Sequence, residues 1–106
     1  MKALVLTARD PLRAADGSHG LRLAADLAGQ GHDVVLALLE DAVVAVREAH
    51  QTRGALDAAL SKGVRVLVED EAAARRGIAP PEGVEPASMG EVTELLLSWS
   101  ERQAWV

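Results

Sequence analysis

Three short, almost unbroken apolar runs constrain what this chain can become: KALVLT at 2–7, DVVLALL at 33–39 and VRVLV at 64–68. A strand with one wet face alternates polar and apolar residues. Strands with so little alternation must be covered on both faces, as in a parallel sheet. The segment GSHGLRLAADLAGQG (17–31) joins the first two runs. In it Leu21, Ala24, Ala25 and Ala28 share one helical stripe, Leu23 and Leu27 widen it, and Gly31 can close the helix. Strand, helix and strand make a βαβ unit, right-handed by the usual crossover rule.

The same alternation continues downstream. Asp41 is placed to cap a helix over AVVAVREAH (42–50), and a second short helix spans 55–61 and stops at Gly63 before the third run. Beyond that run come Glu69, Asp70 and Glu71, then AAARR (72–76), a short helix halted by Gly77. IAPPEGVEPA (78–87) is rich in proline and glycine and reads as a loop. Ser88 with Glu91 fits a capping box that opens a helix over 89–100, with Val92, Leu95, Leu96 and Trp99 facing inward. Residues 103–106 then suit a terminal edge strand. The fold class is α/β, a three-layer sandwich around a parallel sheet of about four to five strands.

A chain of 106 residues holds one ordinary core, so a single domain over 1–106 is expected. Eleven basic and sixteen acidic side chains leave a formal charge of −5, which repels phosphate backbones and anionic lipid. Nucleic acid and membrane are therefore not expected partners. No stretch approaches the roughly 20 apolar residues of a span, and the amino end lacks a basic-then-apolar signal pattern. These features predict a soluble, cytoplasmic protein. There is no cysteine, hence no disulfide, no thiolate nucleophile and no thiolate metal ligand. The helix predicted over 42–50 carries Val43, Val44 and Val46 on neighbouring faces, more apolar surface than one sheet face would cover, which predicts a homo-oligomer.

In a parallel α/β sheet the loops after the strands converge at the carboxyl edge. Here they bring Arg9, Asp10, Asp16, Ser18, His19, Glu40, Asp41, Glu69 and Asp70 toward one rim. His19 among carboxylates suits a divalent cation or general acid–base work. A small-molecule or metal site is thus one reading, with Ser18, His19, Glu40, Asp41, Glu69 and Asp70 as its ligand-binding residues. The competing reading makes Asp41 and Asp70 or Glu71 helix caps and the other acids solvated. ADGSHG (15–20) opens a helix and could hold an anion, but it matches neither GxGxxG nor GxxxxGK[ST], and Asp16 or Ser18 can instead serve as the cap. Ser18 lies in no G-x-S-x-G elbow. His32 and His50 sit at element ends and read as structural. Trp99 and Trp105, the only aromatics, read as core or interface anchors. No cofactor and no catalytic residue is implied.

The order of these pieces resembles the DsrE/DsrF-like family, the sulfur-relay TusD/DsrE-like proteins, along nearly the whole chain. KALVLT followed by SHGLRLAADLAGQGHDVVLAL is similar to the family's first strand and its Ala- and Leu-rich helix with a GH turn. LLEDAV looks like its strand-two ending, GVRVLVEDEAAARRGI its third strand and Arg-Arg-Gly helix, and SMGEVTELLLSWSERQAWV its last helix and edge strand. The resemblance implies a flavodoxin-like α/β sandwich that forms trimers or hexamers, or a heteromer with a cysteine-bearing homologue. It also implies a persulfide-carrying cysteine just past strand three. Counting from Arg75, Arg76 and Gly77 puts that position at Glu69, where a carboxylate cannot carry sulfane sulfur. A non-catalytic binding or structural subunit is the implied role.

Overall fold

The structure, a computed structural model, describes residues 1–10, 18–47 and 51–106. Its elements follow one another as β1 (Lys2–Thr7), α1 (His19–Gly29), β2 (Asp33–Leu38), a 3₁₀ helix (Glu40–Val46), α2 (Arg53–Ser61), β3 (Arg65–Glu69), α3 (Asp70–Arg75), β4 (Val84–Ala87), α4 (Met89–Glu94) with a π-helical continuation (Leu95–Trp99), and β5 (Arg102–Trp105). The five strands form one sheet in the order β4-β3-β2-β1-β5. Every neighbouring pair is parallel.

Two apolar cores sandwich the sheet. On one face Val5, Leu36, Leu38, Val66 and Val68 meet Leu21, Val43, Val46 and Leu56 from α1, the 3₁₀ helix and α2. On the other, Leu4, Leu6, Val35, Ala37 and Leu67 meet Val92 of α4, with Leu95, Leu96 and Trp99 packed alongside. Each such Leu or Val, fully buried, stabilises the fold by roughly 1.5–3 kcal/mol relative to exposure. The stripe predicted for α1 is present, with Leu21 and Ala24 buried. Gly31 follows α1 at a φ of +93°, a left-handed value that glycine adopts without a Cβ clash.

Several sequence expectations are corrected. The segment after β2 is a 3₁₀ helix whose N-cap position is Leu39, so Asp41 lies in its first turn and is not the cap. The chain itself covers that helix: Val43 and Val46 are buried and Val44 half-buried. Its valines therefore give no argument for self-association. Residues 78–87, expected to be all loop, contain β4, which pairs with β3 through Val66↔Val84 and Val68↔Pro86. Pro86 hid this strand. Proline cannot donate to a ladder, but β4 lies at the sheet edge, where one side needs no partner. The last helix gives way to π-type turns at Leu95, and the final strand starts one residue earlier than expected, at Arg102.

The capping box is present. The Glu91 N–H donates to Ser88 Oγ at 3.1 Å, and the Ser88 N–H donates to Glu91 Oε1 at 3.2 Å. Ser88→Ala removes the first bond and is expected to lower unfolding free energy by about 1 kcal/mol, read from the urea midpoint at unchanged m-value.

Between β3 and β4, Arg65 Nε and Nη2 donate to Glu85 Oε2 and Oε1 at 2.8 and 3.3 Å. That hydrogen bonding holds the Glu85 carboxyl below its ordinary 4.5, against a smaller opposing effect of burial. A carboxylate lowered in this way adds stability above its unfolded pKa and loses it as pH falls through the folded value. Glu85→Gln is therefore expected to be slightly less stable than wild type near neutral pH. The gap should close when denaturation is repeated below the depressed range, and shrink in high salt because both side chains are half exposed.

Candidate functional site

Because all strands are parallel, Thr7, Leu38, Glu69 and Ala87 end at one edge of the sheet. Glu69 is the last residue of β3 and occupies the N-cap position of α3 without capping it through its side chain. It is only 4 % exposed, and with Thr52 it is one of two polar residues buried among the described residues. Burying a carboxylate is costly unless hydrogen bonds replace its water. The backbone N–H of Glu40 supplies one, donating to Glu69 Oε1 at 3.1 Å. Glu40 is the positive-φ residue other than glycine among the described residues, at +46°. A left-handed non-glycine residue costs roughly 1–2 kcal/mol and persists where its surroundings hold it. The strained β2 turn and the buried acid thus support one another.

The neighbouring acids are engaged by arginines of α3 and its C-terminus. Arg76 Nη2 lies 2.6 Å from Asp41 Oδ1, and Arg75 Nη2 lies 3.7 Å from Glu40 Oε2. Arg76 is further fixed by donating from Nη1 to the Ala72 carbonyl at 3.0 Å. Asp70 opens α3 and accepts the Glu71 N–H at 2.7 Å. Glu40, Asp41, Glu69 and Asp70 therefore gather at one edge, as expected from sequence, but two of them are charge-balanced and a third is buried. Arg75 and Arg76 were legible only as the end of a helix; their ion-pair partners are 35 residues away in each case.

Ser18 and His19 start α1. Ser18 holds the N-cap position but its side chain makes no capping bond. Among the described residues no hydrogen bond or ion pair joins Ser18 or His19 to Glu40, Asp41, Glu69 or Asp70. Arg9 and Asp10 lie in the loop after β1, whereas Asp16 and His50 fall outside the described residues. No group of three or more His, Cys, Asp or Glu among the described residues is arranged to hold a metal ion. Two hollows lie away from Glu69. One of about 430 Å³ is lined by Val46, Arg47, Arg53, Ile78 and Pro81, and one of about 310 Å³ by His32, Arg65 and Trp99 at the opposite end of the strands.

A sequence model of the DsrE/DsrF-like family matches residues 1–102. The chain belongs to the DsrE/DsrF-like family. Its fold is similar to that of the ychN protein from E. coli, with 25% identity, full coverage of both chains and a TM-score of 0.86. It is also similar to BT1422 from Bacteroides thetaiotaomicron, a conserved protein of unknown function, at 16% identity over 99% of this chain and 94% of that one, with a TM-score of 0.79. MTH1491 from Methanobacterium thermoautotrophicum, likewise of unknown function, gives 16% identity, coverages of 99% and 96%, and a TM-score of 0.73. Among curated proteins none matches the chain. This DsrE/DsrF-like protein has no cysteine anywhere.

Glu69→Ala is expected to destabilise the protein by about 1–3 kcal/mol by leaving the Glu40 N–H without its acceptor. Glu69→Gln, which keeps an acceptor oxygen, should lose less. Adding Glu40→Gly to the alanine variant should restore about 1 kcal/mol by removing the left-handed penalty. Urea denaturation of the four proteins checks all three statements.

Proposed function

We propose that this chain is a DsrE/DsrF-like subunit without sulfurtransferase activity of its own, a single domain over 1–106 acting in the cytoplasm as a binding or structural partner in intracellular sulfur relay. The observation that carries the reading is the state of Glu69, the position where the family resemblance puts the reactive cysteine. Its carboxylate is buried and bonded to the backbone of Glu40. A persulfide carrier needs an accessible thiolate, and the chain has none. The position serves the architecture of the edge instead.

Assembly fits the surface around α4. Leu97 is 76% exposed, Trp105 63% and Met89 46%, large apolar side chains that a partner surface could cover. The reading is a homo-oligomer, trimer or hexamer, or a heteromer with a cysteine-bearing homologue. The acidic-rim reading has less support, because Arg75 and Arg76 already balance Glu40 and Asp41. A rise in melting temperature with a divalent ion or metabolite, abolished by Glu69→Gln, would revive it.

Native mass spectrometry of the protein alone and co-expressed with a cysteine-bearing family member tests the proposal. A closed oligomer, or a heteromer with the homologue, is the expected result. Trp105→Glu or Leu97→Glu should shift it toward monomer while circular dichroism stays unchanged. A protein that is monomeric at micromolar concentration and ignores the homologue would overturn the reading.

A further inference from the structure

We propose that the hollow between the end of the 3₁₀ helix, the start of α2 and the loop after α3 binds a small organic oxyanion: a carboxylate or phosphate on a compact apolar body. The proposal is independent of how the chain assembles or whether it takes part in sulfur relay.

Its volume of about 430 Å³ lies in the range of small-molecule sites, roughly 300–1,000 Å³. The lining divides into two chemistries. Arg47 and Arg53 supply guanidinium groups, while Val46, Ile78, Ala79 and Pro81 supply an apolar wall; no acidic side chain is among its described lining residues. Ile78 is anchored because it packs against the larger core.

Both cations are tethered through only part of their donor set. Arg53 donates from Nη1 to the Val46 carbonyl at 3.2 Å and from Nε to Asp57 at 3.1 Å, and its side chain is 26% exposed. Arg47 is held more loosely, donating from Nη2 to the Arg76 carbonyl at 3.5 Å. A guanidinium has five N–H donors in a planar fork that matches carboxylate and phosphate oxygens. Each arginine therefore has donors that no described residue takes up. Arg53, Arg75 and Arg76 on this flank each meet a carboxylate, whereas Arg47 meets none among the described residues. Arg53 also opens α2, whose positive end adds to the field without carrying the argument. In a chain of formal charge −5, a guanidinium at Arg47 that meets no carboxylate among the described residues, set beside the fork of Arg53 and an apolar wall, selects a compact anion with an apolar part. A polyanionic strand has no groove to follow here.

An amide-resolved NMR titration of the whole protein tests this with phenyl phosphate, benzoate, inorganic phosphate and uncharged benzyl alcohol. The expected result is saturable shifts confined to residues 46–47, 53–54 and 77–79, with the indole signals of Trp99 and Trp105 unmoved. Phenyl phosphate or benzoate should bind at least about tenfold more tightly than benzyl alcohol, and phenyl phosphate more tightly than inorganic phosphate. Arg47→Gln, a change at an exposed side chain, should weaken binding about tenfold or more while leaving the rest of the spectrum in place. Arg53→Lys, which keeps the charge but loses the fork, should weaken it as well. Scattered or non-saturable shifts would overturn the proposal. So would equal binding of benzyl alcohol, equal binding of inorganic phosphate, or indifference to both substitutions.

Discussion

Every strand runs in the same direction, so no two neighbours can be joined by a tight turn and each connection must cross a face of the sheet. The first three connections step steadily from β1 to β4. With right-handed crossovers they all land on one side, where α1, the 3₁₀ helix, α2 and α3 pack. The fourth reverses, passing from β4 over the sheet to β5 beyond β1, and so lands on the opposite side. That reversal explains why, among the described residues, α4 and its π-helical continuation are the helical cover of the second face. It also leaves Met89 and Leu97, on α4 and its continuation, exposed.

The architecture was legible because the central strands are covered on both faces and therefore read as apolar runs; β1, β2 and β3 stand almost where those runs do. The capping box was equally plain, since both of its bonds lie within four residues. β4 was not legible. It contributes only Val84 and Ala87 to the interior, and Pro86 contradicts the usual strand composition. The segment after β2 reads in sequence as a helix capped by Asp41, because its valines suit the 3₁₀ spacing as well as the α one. The carboxylate of Asp41 turns to Arg76 across 35 residues, a contact that local sequence cannot display.

The candidate site shows the same division. Parallel topology brings Glu40, Asp41, Glu69 and Asp70 to one edge, and that much follows from where the apolar runs stop. What the acids do there depends on burial and on distant cations. Glu69 would pass for a solvated surface acid by composition; in the fold it is enclosed and holds the turn after β2 in a left-handed conformation. A position that resemblance assigns to reactive sulfur chemistry thus has a structural task in this chain. The arginine hollow was invisible to motif reading, because its lining comes from separate segments that no fixed spacing connects.

The place of β5 also bears on how the chain is made. The Glu101 N–H donates to the Lys2 carbonyl and the Lys2 N–H to the Glu101 side chain, a pairing that joins residues 99 apart. β1, α1 and β2 leave the ribosome long before Arg102–Trp105 exist. Until then one margin of β1 has its backbone donors and acceptors open along a highly apolar strand, the kind of template that recruits foreign strands. The last-made strand of the sheet closes the first, so this margin of β1 stays open to mispairing until the chain has grown past Trp105.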